Sequence, residues 1–242
     1  MQPGGIVLLI IAFAVIGITF TVFVYYAQKK RREALAALAN RLGWTFNPAS
    51  DPYHDEQFRH FKIFTRGHSR RTYNTLRGSI KILDKTCKAK AGDYLYKETH
   101  GSGKDRRTTT YRFSYLIVDH PYNYLPALLI RPEGIFDKLK SAFGFDDINF
   151  ESAEFSRRFY VKSQDKRFAY NVIDPRMMEF LLASSPAMLD IQNNDCCLSD
   201  GKKTWTPEQF NHQISWIIEF FNHWPDYLVE QLNSREQFTT IH

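Results

Sequence analysis

The stretch IVLLIIAFAVIGITFTVFVYY, from Ile6 to Tyr26, is an apolar run of 21 residues, and Lys29-Lys30-Arg31-Arg32 follows two residues later. A helix that crosses the hydrocarbon core of a bilayer needs about 20 apolar residues. Fourteen of the 21 are Ile, Leu, Val or Phe. Each favours insertion by roughly 0.3 to 0.6 kcal/mol near the bilayer centre, about 4 to 8 kcal/mol in sum. Gly17, Thr19 and Thr21 oppose it mildly, and Tyr25 and Tyr26 end the run where amphipathic rings favour the interface. A cleaved signal peptide would need a basic start, a shorter apolar core and a small-residue cleavage site. Residues 1–5 carry no basic group and the exit is four cations, so the reading is a retained anchor.

The flanks set the expected orientation. Four Lys/Arg follow the span and none precedes it, which keeps the C-terminal side in the cytoplasm. The expectation is therefore a single-pass protein of the inner (plasma) membrane, with its N-terminus outside. Residues 1–28 form the stub and transmembrane helix, 29–43 a juxtamembrane basic helix, and 44–242 a cytoplasmic domain. The bilayer is the first partner. Lys29, Lys30, Arg31 and Arg32 are candidate contacts for anionic lipid headgroups, at about 1 kcal/mol per cation. A stop-transfer role without lipid selectivity accounts for the same four residues, and a membrane protein is the other partner class.

Composition agrees with that placement. Cys87, Cys196 and Cys197 are odd in number and two are adjacent, so no disulfide framework is expected. The first 28 residues are uncharged, so the net charge of +6 falls on the remainder. A basic body beside a bilayer is most simply explained by attraction to anionic lipid. No nucleic-acid motif accompanies the charge, and no nucleic-acid partner is expected.

The helix is expected to continue past the membrane. Between Ile6 and Leu42 there is no proline, and residues 32–42 are rich in strong helix formers. Leu35, Leu38, Ala39 and Leu42 share one face, and Gly43 is a natural stop. The result would be a rod of 37 residues, roughly 55 Å long. Beyond it, Phe58, Phe61, Ile63 and Phe64 begin a core. Strands are expected near Gly78 to Leu83, from Thr108 to Val118 with Tyr111, Phe113, Tyr115 and Ile117 alternating, from Ala127 to Ile130 and from Arg158 to Lys162. Lys97 to Arg107 reads as a charged connection. Helices are expected after Pro132, with Ile135, Phe136, Leu139 and Phe143 at helical spacing, and after Asp174-Pro175, with Met178, Leu181 and Leu182 inward. The last begins at Thr206-Pro207-Glu208-Gln209 and is interrupted at Pro225. The class is α+β: an N-terminal transmembrane helix, then a mostly antiparallel sheet with packed helices.

No motif spells out a reaction, cofactor or metal. Gly101-Ser102-Gly103-Lys104 resembles the end of a phosphate loop, but Glu98 stands where the first glycine belongs and Asp105 replaces Ser/Thr. Cys196-Cys197 is a poor metal pair, since adjacent side chains in extended chain point opposite ways. His212 and His223 are read as surface or capping residues. Glu133, Asp146, Asp147, Glu151 and Glu154 form an acidic group. Carboxylates near Glu133 and Asp147 are the only handle for a membrane-tethered enzyme, a hydrolase, as the alternative to a binding module. The cations Arg66, Arg70, Arg71, Lys81, Lys85, Lys88, Lys90, Lys104, Arg106 and Arg107 crowd into one third of the chain, and some are expected to face the membrane.

The stretches from Arg131 to Leu139, Asp147 to Glu151 and Glu154 to Val161, with the Leu42-Gly43-Trp44 turn, resemble a group of uncharacterised bacterial membrane proteins. These have one N-terminal span and a cytoplasmic domain of unknown function. The resemblance implies this topology and no catalytic residue.

Overall fold

The computed structural model describes residues 3–122, 124–133, 148–184 and 186–240, and side chains within 10–234. The expected helix after Pro132, the carboxylates Asp146 and Asp147 and the part of the first resemblance stretch beyond Glu133 lie outside the described residues.

Helix α1 runs unbroken from Pro3 to Leu42, and Gly43 takes a φ of +68°, the left-handed stop expected there. Its N-terminal part is a candidate membrane span. Every described side chain from Ile10 to Phe23 is exposed, whereas Leu35, Leu38 and Ala39 are buried. The same helix is thus apolar all round in one half and amphipathic in the other. That division is what a rod leaving a bilayer to dock on a folded body requires.

The body is α+β. Eight strands form one sheet in the order β1-β2-β3-β4-β8-β7-β5-β6: β1 (Thr45–Asn47), β2 (His68–Ile82), β3 (Lys85–His100), β4 (Arg107–Asp119), β5 (Leu128–Pro132), β6 (Phe159–Ser163), β7 (Met188–Gln192) and β8 (Asp195–Ser199). Every pairing among the described strands is antiparallel. The described helices after α1 are α2 (His54–Gln57), α3 (Ala153–Arg158), α4 (Lys166–Val172), α5 (Pro175–Ser184), α6 (Pro207–Asn222) and α7 (Asp226–Thr240). Thr206 and Gln209 close a reciprocal capping box at the start of α6, and the Pro225 region separates α6 from α7. In α5 it is Met177, with Leu181, that is buried, while Met178 is half-buried.

The sequence does not anticipate β1, β2 begins at His68 well ahead of the expected Gly78, and three further strands depart from the sequence expectation. β3 runs through Lys85 to Tyr96, to which the sequence reading assigns no element, and on into Lys97 to His100, which it reads as connection; only Gly101 to Arg106 form the turn to β4. Its centre, Ala89-Lys90-Ala91-Gly92-Asp93, has weak strand propensity, and partners on both sides override it. β7 and β8 form a hairpin that the sequence reading passed over. There Cys196 and Cys197 point to opposite faces, each into a different apolar cluster, and burial pushes both thiols well up.

Each sheet face has its own core. On one, Leu76, Ala91, Leu116 and Leu198 meet α1 and α6 through Leu35, Leu38, Ile217 and Phe221. On the other, Tyr94, Phe113 and Tyr115 pack with Phe58, Phe61 and Phe64. The turn from α1 is pinned by Trp44, whose indole N–H donates to the Ser79 carbonyl at 3.1 Å while its ring lies over Gly78. A Cβ at Gly78 would overlap Cδ1 and Cγ of that ring. Gly78→Ala is therefore expected to destabilise the fold by about 1–3 kcal/mol through overpacking, measured by chemical denaturation. An unchanged midpoint would show that the indole is free to move away.

Candidate functional site

The site begins with a charge at the end of the apolar helix. Arg31 turns into the body, where its Nε donates to Oδ2 of Asp93 at 2.8 Å and one terminal nitrogen to Oδ1 at 2.6 Å. The other terminal nitrogen donates to the Trp205 carbonyl at 3.0 Å, just ahead of α6. Asp93, in the middle of β3, is fully buried and also accepts from Asn74 Nδ2 at 2.9 Å and Ser114 Oγ at 2.7 Å. Asn74 reaches it from a left-handed residue, φ +51°, at a register shift in β2. A buried carboxylate needs this many donors to offset its lost hydration.

Of the four candidate headgroup cations, then, Arg31 binds the body, while Lys29, Lys30 and Arg32 are exposed. Lys29 lies 3.9 Å from Glu33.

Beside this ion pair, α1 and the sheet enclose a cleft of about 730 Å³. Its helix wall is Phe23, Val24, Ala27, Gln28, Arg31 and Arg32, and its sheet wall includes Arg71, Tyr73, Leu95 and Arg112. Arg71 pairs with Leu95 and Leu95 with Arg112 in the register of β2, β3 and β4. Residues directly opposite in adjacent strands share a face, so Leu95 is flanked by two arginines whose Cα atoms lie about 10 Å apart. Arg32, Arg71 and Arg112 are exposed, and among the described residues none of them is in an ion pair. Among the described residues the lining contains no Asp, Glu or His. Burial and the neighbouring Asp93 raise the Tyr73 phenol above its ordinary range, so it stays a neutral donor. Sequence reading noted Arg71 only as part of a charge cluster and passed over Tyr73, Leu95 and Arg112. The one available signal was Arg112 on the polar face of the alternating strand.

The basic third of the chain does not make one surface. β2, β3 and β4 spread it along a ladder roughly 50 Å long. Lys81, Lys85 and Lys88 lie near the β2–β3 turn, while Lys97, Lys104, Arg106 and Arg107 lie toward the β3–β4 turn. That second turn lies beyond Leu95 and Arg112 on the side away from Asp93, as Phe23 and Val24 lie beyond Arg31 in the helix. The basic turn and the apolar helix therefore extend the same way. Arg70 is held by Asp55 at 2.7 Å, and Arg66 by Glu98 at 2.9 Å.

Gly101 to Lys104 sit in the β3–β4 turn and not at a strand-to-helix junction. His212 is exposed, and His223 caps α6 by its ring contact to the Glu219 carbonyl at 2.8 Å and stacks on Phe180. Glu133 is exposed and Glu154 lies 3.6 Å from Arg158 within α3. Among the described residues no cluster of three or more His, Cys, Asp or Glu could hold a metal.

His54 and Asp190 are among the other buried groups whose titration is shifted. His54 is enclosed by Phe58, Phe64, Tyr94 and Tyr115, and burial, aided by repulsion from Lys90 and Arg77, takes its imidazole down to about 2. Asp190 accepts from Gln192 Nε2 at 2.8 Å, and burial pushes its carboxyl up from 3.8 to about 7, an effect that Gln192 and His60 partly oppose.

No family model matches the chain, and no curated protein matches it. Among solved structures, the chain is similar to the crystal structure of the mycobacterial trehalose monomycolate transport factor A, TtfA. The match has a TM-score of 0.49 and 10% identity, and covers 80% of this chain and 96% of that one.

Replacing Arg31 by Met strands the Asp93 charge inside the sheet. Arg31→Met is expected to cost about 3–5 kcal/mol, measured by urea denaturation of the full chain in detergent. A loss below about 1 kcal/mol would show that Asn74 and Ser114 alone suffice. For Asp190, the folded state holds its proton to higher pH than the unfolded chain, so its contribution to stability falls as pH rises between about 3.8 and about 7. Relative to the parent, Asp190→Asn should gain up to about 1.4 kcal/mol per pH unit across that window and nothing outside it. A pH-independent difference between the two proteins would mean that Asp190 titrates normally.

Proposed function

We propose that the chain is a single-pass membrane protein that binds a ligand in the cleft between its own transmembrane helix and its sheet. In this reading the span is retained in the inner membrane with the N-terminus outside, and residues 44–242 form the cytoplasmic domain. The observation that carries it is that Phe23, Val24, Ala27 and Gln28, which flank Tyr25 and Tyr26 at the end of the apolar run, supply one wall of the cleft. The opening therefore stands at the depth of the bilayer surface. Cations and apolar groups line it, a set suited to holding a ligand. The basic β3–β4 turn supports the same placement, because it extends toward the side expected to meet anionic headgroups.

The test uses the full chain in membranes, with a benzophenone-bearing residue placed at Ala27, inside the cleft, or at Tyr26, which is at the same depth and exposed. Irradiation is expected to give a distinct adduct at Ala27 that Tyr26 does not give. Identical labelling at the two positions would overturn the reading.

A further inference from the structure

The geometry points to the headgroup of an anionic phospholipid as the ligand of this cleft, a single lipid entering sideways from the adjoining leaflet. The inference rests on the cleft being a binding site and adds the chemistry of what enters it. Three features converge. Arg71 and Arg112 flank Leu95 on one rung, about 10 Å apart, a spacing from which two long side chains can close on one group. Arg32 joins them from the helix, and among the described residues none of the three has a carboxylate partner. Three unpaired guanidiniums in a partly enclosed cleft repel one another until an anion arrives, and their planar forks match phosphate oxygens.

The second feature is the apolar lining. Phe23, Val24 and Leu95 stand beside the cations, so the site offers a place for the glycerol end of acyl chains next to a place for phosphate. A soluble phosphoester would leave that wall wet. The third is depth. Residues 23–28 sit where an inserted helix passes the headgroups, so the molecule present there at high local concentration is lipid. Arg31 is not part of the grip: its bonds to Asp93 and Trp205 hold the two walls together.

The experiment is native mass spectrometry of the full chain in detergent with phosphatidylglycerol, phosphatidylcholine or glycerol 3-phosphate added. One phosphatidylglycerol per chain should be retained at least about tenfold better than phosphatidylcholine, the margin expected for charge-assisted hydrogen bonds that the wrong ligand makes less well. Arg71→Gln/Arg112→Gln should lower that retention about tenfold or more. The control Arg157→Gln/Arg176→Gln, which removes equal charge from exposed positions on other elements, should leave it unchanged. Glycerol 3-phosphate at equal concentration should not displace the lipid. The inference is overturned if phosphatidylcholine binds as well, if the Arg71/Arg112 double variant keeps its lipid with an unchanged melting temperature, or if the soluble phosphoester displaces it. If the Ala27 photoadduct is a protein or a soluble metabolite, the cleft remains a binding site and the lipid assignment alone falls. If Ala27 labels no differently from Tyr26, both fall.

Discussion

An arginine at the foot of an apolar helix, locked two-pronged onto a carboxylate in the middle of a sheet, is the constraint on which this structure depends. Asp93 is fully buried, and a charge in that position is tolerated only when donors surround it. Asn74, Ser114 and Arg31 supply them from β2, β4 and α1 in turn. Because the third donor belongs to the helix, satisfying the carboxylate also sets the height and rotation of α1 on the sheet. Trp44 fixes the same helix at its other end, through Ser79 and the bare backbone of Gly78. Two fixed points define a line, and the cleft is the space left where that line departs from the strands.

The parts that could be read from the sequence are those whose signal is local. The apolar run, the Gly43 stop and the capping box at Thr206 each depend on residues within a few positions of one another, and the structure has each of them. The alternation from Tyr111 to Ile117 gives the strand, but Ser114 and Leu116 on its other face are buried as well. β3 was illegible because alanines, lysines and a glycine make its centre a strand only by virtue of neighbours on both sides. The cleft was illegible for a related reason. Arg31 and Asp93 lie 62 positions apart, and the rung Arg71–Leu95–Arg112 joins three strands whose register no short pattern announces. The cationic tetrad looked like four equivalent charges, and it took the fold to separate the one that faces inward.

Polarity along the ladder gives the body a direction. The long β2–β3–β4 hairpins carry cations at both turns, but only one turn lies on the side toward which the apolar helix extends. At the other, Lys85 lies over the Tyr122 ring at 4.6 Å. That charge is partly absorbed by packing, whereas Arg71 and Arg112 at the cleft remain open to an outside anion.

The absence of any break in α1 between Pro3 and Leu42 has a mechanical consequence. Membrane helices lean when the hydrocarbon layer is thinner than their apolar length. A jointed anchor would absorb such a lean at its hinge. This one passes it straight to the sheet, since Arg31 and Trp44 leave no slack at the far end. With α1 inserted as proposed, bilayer thickness would set the angle at which the strands stand over the surface, and the chain would work as a lever whose fulcrum is the lipid boundary at Tyr25 and Tyr26.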